Sequence, residues 1–220
     1  MHSERRAFLK KSLLLTGATL ISRSILAEVP QATSNLGSDL ITRMTWLNPP
    51  ASWSKSGNKV LVRSAPKSDF WREPPDDFRG SGHFFHLPVS GDFIFQARIN
   101  GQYAGQYDHA GLMVRVDAKN WMKCGTEFYD GQRHASVVFT RGFSDWSTMP
   151  DLSQTAPVWW RVIRKNNWIE SLCSLDGKSF TSVRQGYFVS APKADVGIMC
   201  AAPKGTGFAA SFDSLQLKIG

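Results

Sequence analysis

From Met44 to the C-terminus the chain is cut into short runs by clusters of Gly, Pro, Asn, Asp and Ser. Each run is either apolar or alternates apolar with polar residues. No window repeats its apolar residues at the 3.6-residue period of a helix over three turns, whereas a period of two recurs throughout. The chain is therefore predicted to be all-β, with strands at 43–47, 59–64, 82–88, 92–100, 109–117, 120–129, 134–141, 158–165, 167–174, 179–184, 194–202 and 207–219. Turn chemistry lies between many of them, as in Lys55-Ser56-Gly57-Asn58, Asp130-Gly131-Gln132, Lys165-Asn166-Asn167 and Asp176-Gly177-Lys178. Short strands at this spacing bury their apolar faces by packing two sheets into a sandwich.

Alternation also assigns faces. Phe93, Phe95, Ala97 and Ile99 point to the core, with Gln96 and Arg98 outward. Leu112, Val114 and Val116 point inward, which turns Met113 and Arg115 the other way. Met122, Cys124, Thr126 and Phe128 point inward, so Trp121, Lys123 and Glu127 share the opposite face. A Trp, a Lys and a Glu together are an unusual choice for a face that meets only water.

The N-terminus reads differently. Glu4-Arg5-Arg6-Ala7-Phe8-Leu9-Lys10 resembles the twin-arginine export consensus and is followed by the mildly apolar run from Ser12 to Ile21. Residues 1–27 are expected to be a signal-peptide helix, cleaved after Ala27, with the protein delivered to the periplasm or secreted. Residues 28–42 are expected as a flexible lead-in and 43–220 as one β-sandwich domain, a size that buries one core. No later stretch is long enough to span a membrane.

Half of the formal charge of +8 lies in the first 27 residues. The remainder is spread without a basic run, which argues against a nucleic-acid partner. Cys124, Cys173 and Cys200 match no zinc spacing and read as small buried hydrophobes, with one disulfide pair left open. No cofactor or metal motif is visible.

From about Trp46 onward several segments resemble, in order, a family of uncertain function named after a yeast regulator of enolase. They are Trp46-Leu47-Asn48-Pro49-Pro50, Asp69-Phe70-Trp71-Arg72, His83-Phe84-Phe85, Tyr107 to Arg115, Asn120 to Glu127, Asp130-Gly131, Ser144-Asp145-Trp146-Ser147 and Ser174-Leu175-Asp176-Gly177. His109 stands where that family is expected to carry Gln. The resemblance implies a jelly roll of the concanavalin A-like lectin/glucanase superfamily with one concave sheet. That fold hosts lectins, glucanases, lyases and adaptor modules, so the resemblance settles no activity.

Lys123 and Glu127 lie four apart on one strand and so on one face. They either work as an acid, a base or a grip on sugar hydroxyls, or form an ion pair on a solvated surface. Asp108 opens the strand that bears Arg115 and is the candidate second carboxylate that glycoside hydrolysis needs. The Glu-x-Asp-x-x-Glu pattern of glucanases on this fold is absent. Trp146 is expected in a polar loop, stacking on a sugar or closing the sandwich edge, and Trp71 invites the same pair of readings. His83 and His86 sit three apart, on opposite faces, and read as structural. The expected function is a carbohydrate-interacting sandwich whose ligand is held by Arg115, Lys123, Glu127, Asp108 and Trp146. The alternatives are a hydrolase or lyase using Glu127 with Asp108 or Lys123, and a module that meets an envelope protein.

Overall fold

The computed structural model describes residues 34–36, 39–150 and 153–220. The expected signal segment lies outside these residues. The first strands in chain order are β1 (Ser34–Leu36), β2 (Thr45–Leu47), β3 (Ser52–Ser56), β4 (Lys59–Arg63), β5 (Phe70–Glu73) and β6 (Asp77–Gly80). Then come β7 (His83–Ser90), β8 (Phe93–Gly101), β9 (Asp108–Arg115), β10 (Asn120–Tyr129), β11 (Gln132–Arg141) and β12 (Phe143–Pro150). The last five are β13 (Val158–Lys165), β14 (Trp168–Ser174), β15 (Thr181–Tyr187), β16 (Lys193–Ala201) and β17 (Ala209–Ile219).

Two antiparallel sheets face each other. One runs β15-β14-β13-β8-β17-β4-β3, with β1 also paired to β17. The other runs β12-β11-β10-β9-β16-β7-β2, and β5 and β6 form a separate hairpin. The two-sheet sandwich predicted from alternation is thus observed. Phe93, Phe95, Ala97 and Ile99 of β8 meet Leu112, Val114, Met122 and Cys124 of the facing sheet in the main core. Each large apolar side chain so buried contributes about 1.5–3 kcal/mol. Cys124, Cys173 and Cys200 are packed in this same core.

Five strands were not expected: β1, β3, β5, β6 and β12. Every residue of β3 is exposed, and β12 pairs only with β11 along its length. A strand without a buried face carries no alternation to read. Two expectations are corrected. Trp146 lies in strand β12, not in a loop. The stretch expected as a flexible lead-in contributes Leu40 and Ile41 to the main core, and its residues Ser34–Leu36 pair with Leu217–Ile219. Two adjacent large aliphatic side chains at 40 and 41 are reason enough for the sandwich to take them in.

The second sheet has apolar cover on its outer side too. Phe84, Met113, Trp121, Val138, Met199 and Ala201 form a second cluster there, roofed by Phe70 with Leu47 and Trp71. Phe70 and Trp71 come from the β5–β6 hairpin and Leu47 from β2, so the face bearing Trp121, Lys123 and Glu127 is not a solvated surface. Lys123 and Glu127 are both buried, at 2% and 6% exposure.

Candidate functional site

The site begins with three alternate residues of β10. Lys123 pairs across to Met113 and Val138, Gly125 to Gly111 and Ser136, and Glu127 to His109 and His134. Gly125 stands between the two charged residues. A Cβ there would lie 2.3 Å from the Ala110 carbonyl oxygen and 2.5 Å from the Gly111 Cα, so only glycine fits this close approach.

A pocket of about 320 Å³ opens over this floor, lined by Lys123 and Glu127 below and Asp69, Trp71, Glu73 and Arg79 from the hairpin side. Tyr107, Trp146, Pro203 and Lys204 complete the wall. Glu127 Oε2 accepts from Ser136 Oγ at 2.6 Å and from Trp146 Nε1 at 3.0 Å. Burial pushes the Glu127 carboxyl above its ordinary range, against the opposing pull of the Lys123 ammonium and of these two donors. Asp69 Oδ2 is held by Arg79 Nη1 at 3.2 Å, and its Oδ1 lies 3.8 Å from Lys123 Nζ.

Lys123 has one carboxylate near it and no hydrogen bond among the described residues. Its nearest opposite charge stands at 3.8 Å, beyond hydrogen-bond distance, and no described residue accepts from its ammonium. A buried ammonium without acceptors is costly. His109, on the same face beside Glu127, is wholly buried with neither ring nitrogen hydrogen-bonded among the described residues. Burial, reinforced by Lys123, holds its imidazole well below the usual range, so it is neutral.

Three of the five expected site residues meet in this pocket: Lys123, Glu127 and Trp146. The other two do not. Asp108 is buried with its Oδ2 taken by the Ala104 and Gly105 N–H groups at 3.0 and 2.8 Å, so it fixes a loop and lies outside the lining. Arg115 shares the sheet face but pairs with Trp121, six residues along β10 from Glu127. That is about 20 Å along the strand. The carboxylate that accompanies Glu127 is Asp69, supplied with Trp71, Glu73 and Arg79 by a hairpin that alternation did not reveal. Its one sequence signal is Asp69-x-Trp71-x-Glu73, which puts two carboxylates and a ring on one face. His83 is structural, with Nε2 accepting from Ala65 N at 2.8 Å and Nδ1 donating to the Asn48 carbonyl at 2.7 Å. Among the described residues no three His, Cys, Asp or Glu side chains are grouped to hold a metal ion.

Residues 46–219 match the family described as protein of unknown function, DUF1349. The chain belongs to the DUF1349 family. This member is 36% identical over 178 residues to "Regulation of enolase protein 1" of Saccharomyces cerevisiae, covering 80% of this chain and 90% of that protein. A functionally unknown S. cerevisiae protein of solved structure is 35% identical with a TM-score of 0.77, covering 80% of this chain and 96% of the other. Two bacterial structures share the fold alone. The carbohydrate binding module CBM66 of Bacillus subtilis matches at TM-score 0.56 and 12% identity, over 80% of this chain and 97% of the module. A GH43 protein of Bacillus licheniformis matches at 0.62 and 15%, over 81% of this chain and 37% of the other. These relatives correct the expected periplasmic or secreted location. The two relatives at 35–36% identity are yeast proteins, one named for regulation of enolase, and the family match begins at residue 46, beyond the arginine pair. No helix among the described residues is long and apolar enough to cross a membrane.

Proposed function

We propose that this DUF1349 domain is a carbohydrate-binding sandwich on a concanavalin A-like jelly roll, with a neutral sugar seated between Lys123 and Glu127. The observation that carries the reading is the buried Lys123 ammonium, which has no hydrogen-bond acceptor among the described residues and faces a pocket that also holds carboxylates and aromatic rings. Sugar hydroxyls both donate and accept, so one ring serves Lys123 as acceptor and Glu127 and Asp69 as donor. Trp71, Tyr107 and Trp146 offer faces or edges to the apolar side of the ring. The lining charges balance, with Lys123, Arg79 and Lys204 against Asp69, Glu73 and Glu127, which favours a neutral ligand over an anion. The volume sits at the small end of ligand pockets, which start near roughly 300 Å³. The fold shared with CBM66 is consistent with this use and lends it support by analogy only.

The test is a printed array of neutral glycans probed with the wild-type protein and with Lys123→Met. Wild type is expected to bind at least one glycan and the variant none; silence of the wild type across the array overturns the reading. One observation favours a second reading, a glycan hydrolase or lyase: the pocket pairs the raised Glu127 carboxyl with a second carboxylate, Asp69. Product analysis on the glycans that bind separates the two, since a binding module leaves them intact.

A further inference from the structure

The wall of the pocket is a closed ring of contacts. Starting at the hairpin, Asp69 is tied to Arg79 at 3.2 Å. Arg72 joins β5 to β12, its backbone N–H donating to Ser144 Oγ at 3.0 Å and its Nε to the Gly142 carbonyl at 2.7 Å. Along β12 the Trp146 ring meets the Tyr107 ring edge-on, centroids 6.2 Å apart. The loop before β9 then abuts the loop after β16. A Cβ on Gly105 would lie only 2.6 Å from the Gly205 Cα, so the two backbones leave no gap. Asp108, by holding the Ala104 and Gly105 N–H groups, fixes this junction. From there Lys67 Nζ donates to the Lys204 carbonyl at 3.2 Å and Ala202 N–H to Ser68 Oγ at 3.1 Å. The next residue is Asp69, where the circuit began.

β10 forms the floor of this ring, and among the described residues the way in is from above. A glycan chain threaded through its middle needs two exits along the sheet, and the contacts around the ring leave none among the described residues. We infer, resting on the sugar-binding reading above, that the pocket takes the terminal residue of a glycan, end-on, and does not grip internal residues. Lys123, Glu127 and Asp69 then read the hydroxyls of that last residue, while the rest of the chain leaves through the mouth past Lys204 and Glu73. The chemical class of ligand is a neutral sugar chain end or a free monosaccharide.

The experiment uses linear xylo-, cello-, malto- and arabino-oligosaccharides, short and long, with cyclohexaamylose as a neutral sugar that has no end. Calorimetry of the full chain against whichever series binds the array gives stoichiometry and affinity. The expected result is one protein per accessible chain end at every length, affinity constant within about two-fold once the terminal residue is present, and no binding of cyclohexaamylose. Stoichiometry or affinity that climbs with each added residue, or binding of the cyclic sugar, overturns the end-on inference and leaves the sugar reading standing. Absence of binding to every glycan, the array included, removes the sugar reading and this inference with it.

Discussion

Glu127 offers the sharpest separation of framework from function, because two substitutions at one position make opposite demands. Glu127→Ala deletes the acceptor of two donors, the Ser136 hydroxyl at 2.6 Å and the Trp146 indole N–H at 3.0 Å. Trp146 keeps an acceptor, since its Nε1 also lies 3.0 Å from Ser136 Oγ, and its side chain reaches solvent. One buried donor, the Ser136 hydroxyl, is therefore orphaned, at a cost of about 1–3 kcal/mol. Glu127→Gln keeps an oxygen acceptor for both donors and removes only the charge, so its cost at neutral pH is below about 1 kcal/mol.

The pH dependence gives a second check. Burial raises the folded-state Glu127 carboxyl above its ordinary value of 4.5. For an acid shifted upward, the stability it contributes is fully present below the unfolded value and is lost as pH rises through the folded one. Wild type should therefore lose stability relative to Glu127→Gln across that rise, read by urea denaturation from about pH 4 to about pH 8. A wild-type protein that gains on the Gln variant as pH rises would mean the carboxylate is stabilised as a structural anion, and the reasoning would fail. Array binding measured on the same variants should be lost in both, with Glu127→Gln still folded.

Lys123→Met removes a buried charge while Asp69 keeps Arg79, so glycan affinity should fall at least about ten-fold with the melting temperature unchanged or raised; a large loss of stability would make Lys123 a framework ion pair. Gly125→Ala forces a Cβ to within 2.3 Å of the Ala110 carbonyl oxygen and should cost about 1–3 kcal/mol or more, measured by urea denaturation; a neutral effect would contradict the close approach. His109 is held neutral by burial, its folded value lowered from 6.5, so the stability it contributes is present above that value and lost as pH falls below it. His109→Gln should flatten this acid limb of the stability profile, and an unchanged limb would show that another group sets it.

The sheets were legible wherever a strand buries one face and shows the other. β10 illustrates the limit of that signal. Alternation put Met122, Cys124, Thr126 and Phe128 in the core and Lys123 with Glu127 on the other side; the structure buries Met122, Cys124 and Thr126 as expected, while Phe128 is only half-buried and outside the core cluster. It gave no hint that the other side is itself buried, because the cover comes from β5 and β6, some fifty residues earlier. Those strands are short and half exposed, so they carry no burial pattern of their own. Asp69 and Arg79 were missed for that reason. Asp108 misled for a different one: a carboxylate at a strand start is equally suited to capture loop N–H groups, and only the fold shows which partners it meets.

The distribution of side chains along this one sheet face is itself an argument. Where the hairpin sits directly on the sheet, the face is Phe84, Met113, Trp121, Val138 and Met199, as a buried surface should be. Where the hairpin lifts off and the pocket opens, the same β10 carries Lys123 and Glu127. Burying either charge costs several kcal/mol unless partners offset it, and Asp69 at 3.8 Å offsets little of the Lys123 cost. A sheet face selected for stability alone would continue its apolar run under the pocket, since Met at 113 already shows that such a side chain fits beside Lys123. On β10 the buried charges Lys123 and Glu127 lie under the pocket, the placement expected of a domain that gives up stability at one place in order to bind.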